Sequence, residues 1–168
     1  MEEAKKALSI RQQDLLQRSK QQALAGARIV AWAEASAVVF KSNEPEFIAQ
    51  AASVARENKI YLVASVVITT EAASEEMSNK LPQSPQDTLE PLLENKLLVF
   101  GPNGEQLGQY VKARSLRNEA YVSGDSKPLL IDTPHGKLAF AIGFDLDFPP
   151  SIRQAGDADI LIAPSSAW

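Results

Sequence analysis

The residues of this chain best suited to chemistry are Glu34, Lys112 and the pair Asp145 and Asp147, each set where an apolar run meets a polar loop, and Glu119 within a loop. Glu34 closes the run RIVAWAE. A carboxylate at the carboxyl end of a strand in an α/β sheet lies where sites gather. Desolvation there favours its protonated form, which suits a general base; the competing reading is a paired or solvated acid at a strand end. Lys112, in QYVKARS, could stabilise a developing oxyanion with a fixed ammonium, although a lysine leaving a strand is most often solvated. Glu119 is a loop acid with the same default. In AFAIGFDLDFPPS, Gly143 marks a strand-to-helix elbow that calls for glycine's freedom in φ. Asp145 and Asp147 at D-x-D spacing offer an alternative, a Mg²⁺ site for phosphotransfer. His135, in the turn TPHGK, has no partner of its own kind and takes no role.

Composition narrows the chemistry. The chain has no cysteine, which excludes disulfides, thiolate metal sites and a cysteine nucleophile. One histidine excludes a multi-histidine zinc centre, and no metal or cofactor is expected. Seventeen Lys and Arg against 21 Asp and Glu give a net charge of −4, the wrong sign for a nucleic-acid footprint. With 45% hydrophobic and 23% charged residues the chain is globular in composition, and its length fits one domain. The longest apolar run, IYLVASVVI, is far short of the ~20 residues that span a bilayer. The N-terminus MEEAKKALSIRQQD is charged and amphipathic, unlike a secretory signal. No membrane contact is expected within this segment, and its compartment stays open.

The elements that must position these residues alternate between helix and strand. The N-terminal 25 residues predict a helix over 2–25, closed by Gly26. A buried strand ends at Glu34, and Ser42 or Asn43 with Pro45 opens a second helix, EPEFIAQAASVAREN. The strand KIYLVASVVI follows over 59–68, and this rhythm is that of an α/β fold. Residues 69–94, rich in Thr, Ser, Glu, Gln and Pro, predict a surface excursion. KLLVF and QLGQYVK form a hairpin around GPNGE, and PLLID and KLAFAIGF form another around TPHG. Residues 113–127 read as a polar loop. A short helix near 149–155 leads to a last strand in ADILIAP.

The order of these motifs resembles the carbon–nitrogen hydrolase (nitrilase) superfamily, nearest in flavour to apolipoprotein N-acyltransferase and related amidases. IVAWAEASA is similar to the strand that ends in the family's catalytic glutamate, with Glu34 in place and Ala33 where the family has proline. NKLLVFGPNGEQLGQYVK matches the family's Asn-led strand, Gly turn and Tyr-x-Lys through Asn95, Gly104, Tyr110 and Lys112. Glu119 and then Gly124-Asp125 match the elements that follow. AIGFDLDFP is similar to the nucleophile segment, and GDADILIAPSSAW to the strand after it, with Asp159 and Trp168. The cysteine position is Gly143. The D-x-D segment also resembles the aspartate pair of haloacid-dehalogenase phosphatases, but it lies late in the chain with Pro149 at a Thr or Val position.

The superfamily resemblance implies an αββα sandwich, here a single partial domain over 1–168 with the family's first and last elements expected beyond both ends. It implies that Glu34 deprotonates a thiol, that the thiolate attacks an amide, nitrile or acyl carbon, and that Lys112 holds the oxyanion, with Glu119 in the same site. With Gly143 in place of the sulfur, the covalent route is closed and the chain is expected to be inactive or nearly so. The alternative is a non-catalytic binding or assembly module. The expected partner is a small amide, nitrile or acyl donor, and exposed sheet surface predicts homo-oligomers.

Overall fold

The computed structural model describes residues 2–70, 72–73, 93–115, 121–127 and 129–166. Its layers follow from which strands are apolar on both faces. β3 (Tyr61–Thr69) and β4 (Glu94–Phe100) are buried along nearly their whole length, the pattern of central strands covered on both sides. They pair antiparallel from Leu62–Phe100 to Ile68–Glu94, and β5 (Gln106–Val111) continues the hairpin on the far side of β4. On the other flank of β3 lie two short parallel strands, β1 (Ile29–Ala31) and β2 (Ala37–Phe40), which complete a five-stranded sheet.

The two faces of this sheet carry separate cores. On one, α1 (Glu2–Leu24) and α2 (Glu44–Asn58) pack Leu16, Phe47, Ala51 and Val54 against Leu62, Ala64, Val66, Leu98 and Phe100. On the other, Val63, Leu97, Val99 and Tyr110 meet Ile131, Leu138, Phe140 and Ile142. The latter belong to or follow a second sheet of β6 (Leu130–Thr133), β7 (Gly136–Phe140) and β8 (Ile160–Ile162), in which β6–β7 is an antiparallel hairpin and β7–β8 a parallel pair. Between β7 and β8 run a 3₁₀ turn (Gly143–Asp147) and the short helix α3 (Pro149–Gln154). The described residues thus form an α/β sandwich of helix pair, sheet and sheet. Among them no helix is long and apolar enough to cross a membrane.

Two differences from the sequence reading bear on the site. The strand expected to reach Glu34 ends at Ala31, and the unforeseen β2 resumes pairing beyond Ser36. The expected excursion over 69–94 also shrinks, since Thr69 belongs to β3 and Glu94 to β4; its centre, 74–92, lies outside the described residues.

Candidate active site

Glu34, Lys112 and Gly143 come from three different connections and meet above the inter-sheet core. Glu34 occupies the break between β1 and β2, with its side chain only 6% exposed. Lys112 directly follows β5; its backbone N–H donates to the carbonyl of Asn95 at 2.8 Å, and its ammonium is 2.9 Å from Glu34 Oε1. With 2% exposure the Lys112 side chain is not the solvated group its loop position suggests. The ring of Tyr121 lies 5.3 Å from the ammonium. Gly124 explains how Lys112 is backed: its N–H donates to the carbonyl of Lys112 at 2.9 Å, and any Cβ there would run into the carbonyl oxygen of Val111.

Gly143 opens the 3₁₀ turn with φ of +45°, a left-handed conformation that L side chains rarely adopt. Its N–H is tied to the carbonyl of Pro164 at 2.9 Å. A Cβ added at this position would point directly at Glu34, 2.5 Å from Oε2 and 3.1 Å from the carboxyl carbon. The place a nucleophile's side chain would take is therefore filled by the carboxylate itself.

Four donors hold the carboxylate there. Oε1 accepts from Lys112 and from Asn95 Nδ2, both at 2.9 Å, while Oε2 accepts from the N–H and Oγ–H of Ser166 at 3.1 and 3.3 Å. Asn95 is fully buried, and its Oδ1 has no partner among the described residues. Sequence reasoning placed Asn95 only as a motif match and missed Ser166. An Asn heading an otherwise apolar strand was the available signal for the first, whereas the second reaches the site only through the return of β8.

The magnesium reading is corrected. Asp145 is wholly buried and accepts from the hydroxyl of Tyr110 at 2.9 Å, from Arg114 N–H at 2.8 Å, and from Ala113 and Ile142 N–H at 3.3 Å each. Four donors on a wholly buried carboxylate commit it to the fold, whereas Asp147 is exposed on the same turn. Among the described residues no cluster of three metal-ligating side chains forms. Asp145 serves instead to staple the turn after Gly143 to the segment after Lys112. Burial, and then the Asp145 charge, push the Tyr110 phenol well above its ordinary pKa. His135 packs edge-on against Tyr61, ring centroids 6.0 Å apart, and stays a turn residue. Glu119 lies outside the described residues.

The family model for carbon-nitrogen hydrolase matches residues 4–168, nearly the whole chain. The chain belongs to the carbon–nitrogen hydrolase family. The fold agrees: an amidase from Nesterenkonia sp. superposes with a TM-score of 0.69 at 16% identity, over 95% of this chain and 60% of that one. A cysteine-to-alanine variant of the Nesterenkonia sp. AN1 amidase in complex with butyramide gives 0.68 at 17% identity, over 94% and 59%. A cysteine-to-serine variant of the same enzyme, described as belonging to the nitrilase superfamily, gives 0.68 at 16%, over 94% and 60%. The chain thus spans about 60% of the length of these amidases. No curated protein matches it. This carbon–nitrogen hydrolase domain carries no cysteine anywhere in its 168 residues.

Proposed function

We propose that this carbon–nitrogen hydrolase domain binds a small carboxamide at Glu34, Lys112 and Gly143 without forming a covalent acyl intermediate. The observation that carries the proposal is the convergence of the Glu34–Lys112 ion pair, 2.9 Å long and almost wholly buried, on the position of Gly143. A carboxamide offers what this arrangement lacks and accepts what it has. Its carbonyl oxygen matches the ammonium of Lys112, and its NH₂ matches the carboxylate of Glu34 and the Oδ1 of Asn95, unpaired among the described residues. Binding of butyramide by a relative whose cysteine is replaced with alanine supports the same reading by likeness.

Acyl transfer needs an atom at position 143 that can attack carbon, and glycine supplies none. Losing the nucleophile of an acyl-transfer enzyme costs several orders of magnitude in rate. The expected behaviour is therefore retention of the amide with turnover at or near background. The N-acyltransferase flavour rests on motif order, the amidase flavour on the solved folds. An assembly role is the second reading, favoured by the closed state of the site, in which Glu34 already satisfies its own donors.

Ligand-observed NMR with butyramide tests the proposal on the unmodified chain. Saturation transfer that is lost in Lys112→Met, with no ammonia released above background, is the expected result. Absence of any butyramide signal favours the assembly reading, and ammonia release at an enzymatic rate overturns the claim of an interrupted site.

A further inference from the structure

Glu34 is held by an interrupted strand, and the interruption has a defined repair. β1 and β2 run along the same edge of β3, with Ala31 opposite Val63 before the gap and Ala37 opposite Val66 after it. Trp32 to Ser36 must therefore be accommodated opposite only Ala64 and Ser65. The last regular ladder bond is Trp32 N–H to the carbonyl of Val63 at 3.0 Å. Beyond it the chain turns: Ser36 Oγ–H donates to the carbonyl of Ala33 at 2.6 Å, and Ala35 takes φ of +52°. A left-handed alanine costs about 1 kcal/mol or more and persists only where its surroundings fix it.

The fixing group is a side chain. Ser65 is fully buried within YLVASVVIT and is the only aliphatic hydroxyl in β3 before Thr69. Its Oγ accepts the N–H of Ala35 at 3.1 Å, standing in for the carbonyl that the broken ladder no longer offers. The bond acts on the residue immediately after Glu34. Arg11 Nε, reaching from α1 to the carbonyl of Ser36 at 2.5 Å, holds the outer side of the same turn.

We infer that Ser65 is the positioning residue for Glu34: its hydroxyl locks Ala35 in the left-handed conformation and so aims the carboxylate at Lys112 and position 143. The inference rests on the reading of Glu34 as the acid–base group of the site. It goes beyond that reading because Ser65 touches neither the carboxylate nor position 143 and acts only through the backbone. Among the described residues Lys112 is the charged partner that Glu34 faces, while Asn95 and Ser166 are neutral donors. A change in the aim of Glu34 therefore registers as a change in its contact with Lys112.

Carbon-13 NMR of the unmodified chain labelled at the glutamate carboxyl carbon reads this directly, with the Glu34 signal assigned by its loss in Glu34→Gln. In Ser65→Ala the Glu34 carboxyl resonance moves away from its position in the parent, because the carboxylate leaves Lys112. Ser65→Thr, which keeps the hydroxyl, restores it, and Val63→Ala, a comparably buried truncation, leaves it in place. A Ser65→Ala protein with a lowered Tm and an unmoved Glu34 carboxyl resonance overturns the inference. A second measurement uses a thiol installed by Gly143→Cys and its alkylation by iodoacetamide across pH. Ser65→Ala slows that reaction about tenfold, as expected for a misaimed base, and Ser65→Thr recovers it. If the installed thiol reacts equally with and without Glu34→Gln, the acid–base reading of Glu34 fails, while the NMR shift still decides whether Ser65 aims the side chain.

Discussion

Adding one methyl group at Gly143 sets a backbone cost and a contact cost against the same site. Alanine at φ of +45° loses about 1–2 kcal/mol from the left-handed conformation alone. Its Cβ also falls 2.5 Å from Glu34 Oε2, nearer than carbon and oxygen approach without displacement. Oε2 ends a flexible side chain, so the carboxylate yields, but it must loosen the two bonds from Ser166 to do so. Hydrogen bonds to charged groups are worth about 1.5–3 kcal/mol each, and a partial loss adds about 1–2 kcal/mol. Gly143→Ala should therefore cost about 2–4 kcal/mol, or about 5–15 °C in Tm for a domain of this size. Urea unfolding in a double-mutant cycle with Glu34→Asp separates the parts. Aspartate keeps the negative charge opposite Lys112 but withdraws the carboxylate by one methylene. In that background Gly143→Ala should cost only the backbone share, leaving a coupling of about 1–2 kcal/mol. An equal cost in both backgrounds would refute the reasoning, because Glu34 would then not occupy the space at position 143.

Other perturbations reach the same framework. Lys112→Met strands a buried carboxylate and should cost about 3–5 kcal/mol by chemical unfolding; 1 M NaCl should change that difference little, since the pair is 2% and 6% exposed. Asp145→Asn turns an amide NH₂ towards backbone donors and the Tyr110 hydroxyl, at about 3 kcal/mol, and removes the charge that helps raise the Tyr110 phenol, so its ultraviolet titration should start at lower pH. In the parent, the raised phenol pKa contributes stability that is complete below pH 10 and is lost as pH rises through the folded value, which alkaline unfolding should show. Burial pushes the Glu44 carboxyl up, but its ion pairs with Lys41 and Lys96 outweigh burial and leave it below the ordinary 4.5. Its contribution is thus complete above pH 4.5 and lost on acidification through the lower folded value, and Glu44→Gln should flatten that part of the acid limb.

How much of this was legible in the sequence depended on how local the cause was. The α/β rhythm, both hairpins and the two longer helices follow from apolar period, Gly-Asn turns and Pro45, all of which act within a few residues. Glu34, Lys112 and Gly143 each stand at the end of an apolar run, but that local signal is weak alone, and it was the likeness of their order to the family's motifs that joined them. The break that presents Glu34 was not legible. The run RIVAWAE reads as a strand that ends at Glu34, and only pairing with β3 shows that Trp32–Ser36 must bulge out, that a second strand resumes at Ala37 and that Ser65 repairs the gap. The fate of Asp145 was hidden for the same reason: D-x-D spacing looks alike whether the first acid faces solvent or accepts bonds from Tyr110, Ala113 and Arg114 across the chain. Ser166 reaches Glu34 across 132 residues, beyond any local pattern.

The most direct test of the interrupted site is to put the sulfur back. Gly143→Cys, treated with acrylamide and followed by intact mass, should gain one adduct at a rate that falls at least about tenfold in Glu34→Gln and in Lys112→Met. That result requires the three positions to work together around a single atom. An adduct that forms equally fast in all three proteins, with folding intact, would mean an ordinary exposed thiol and would contradict the account.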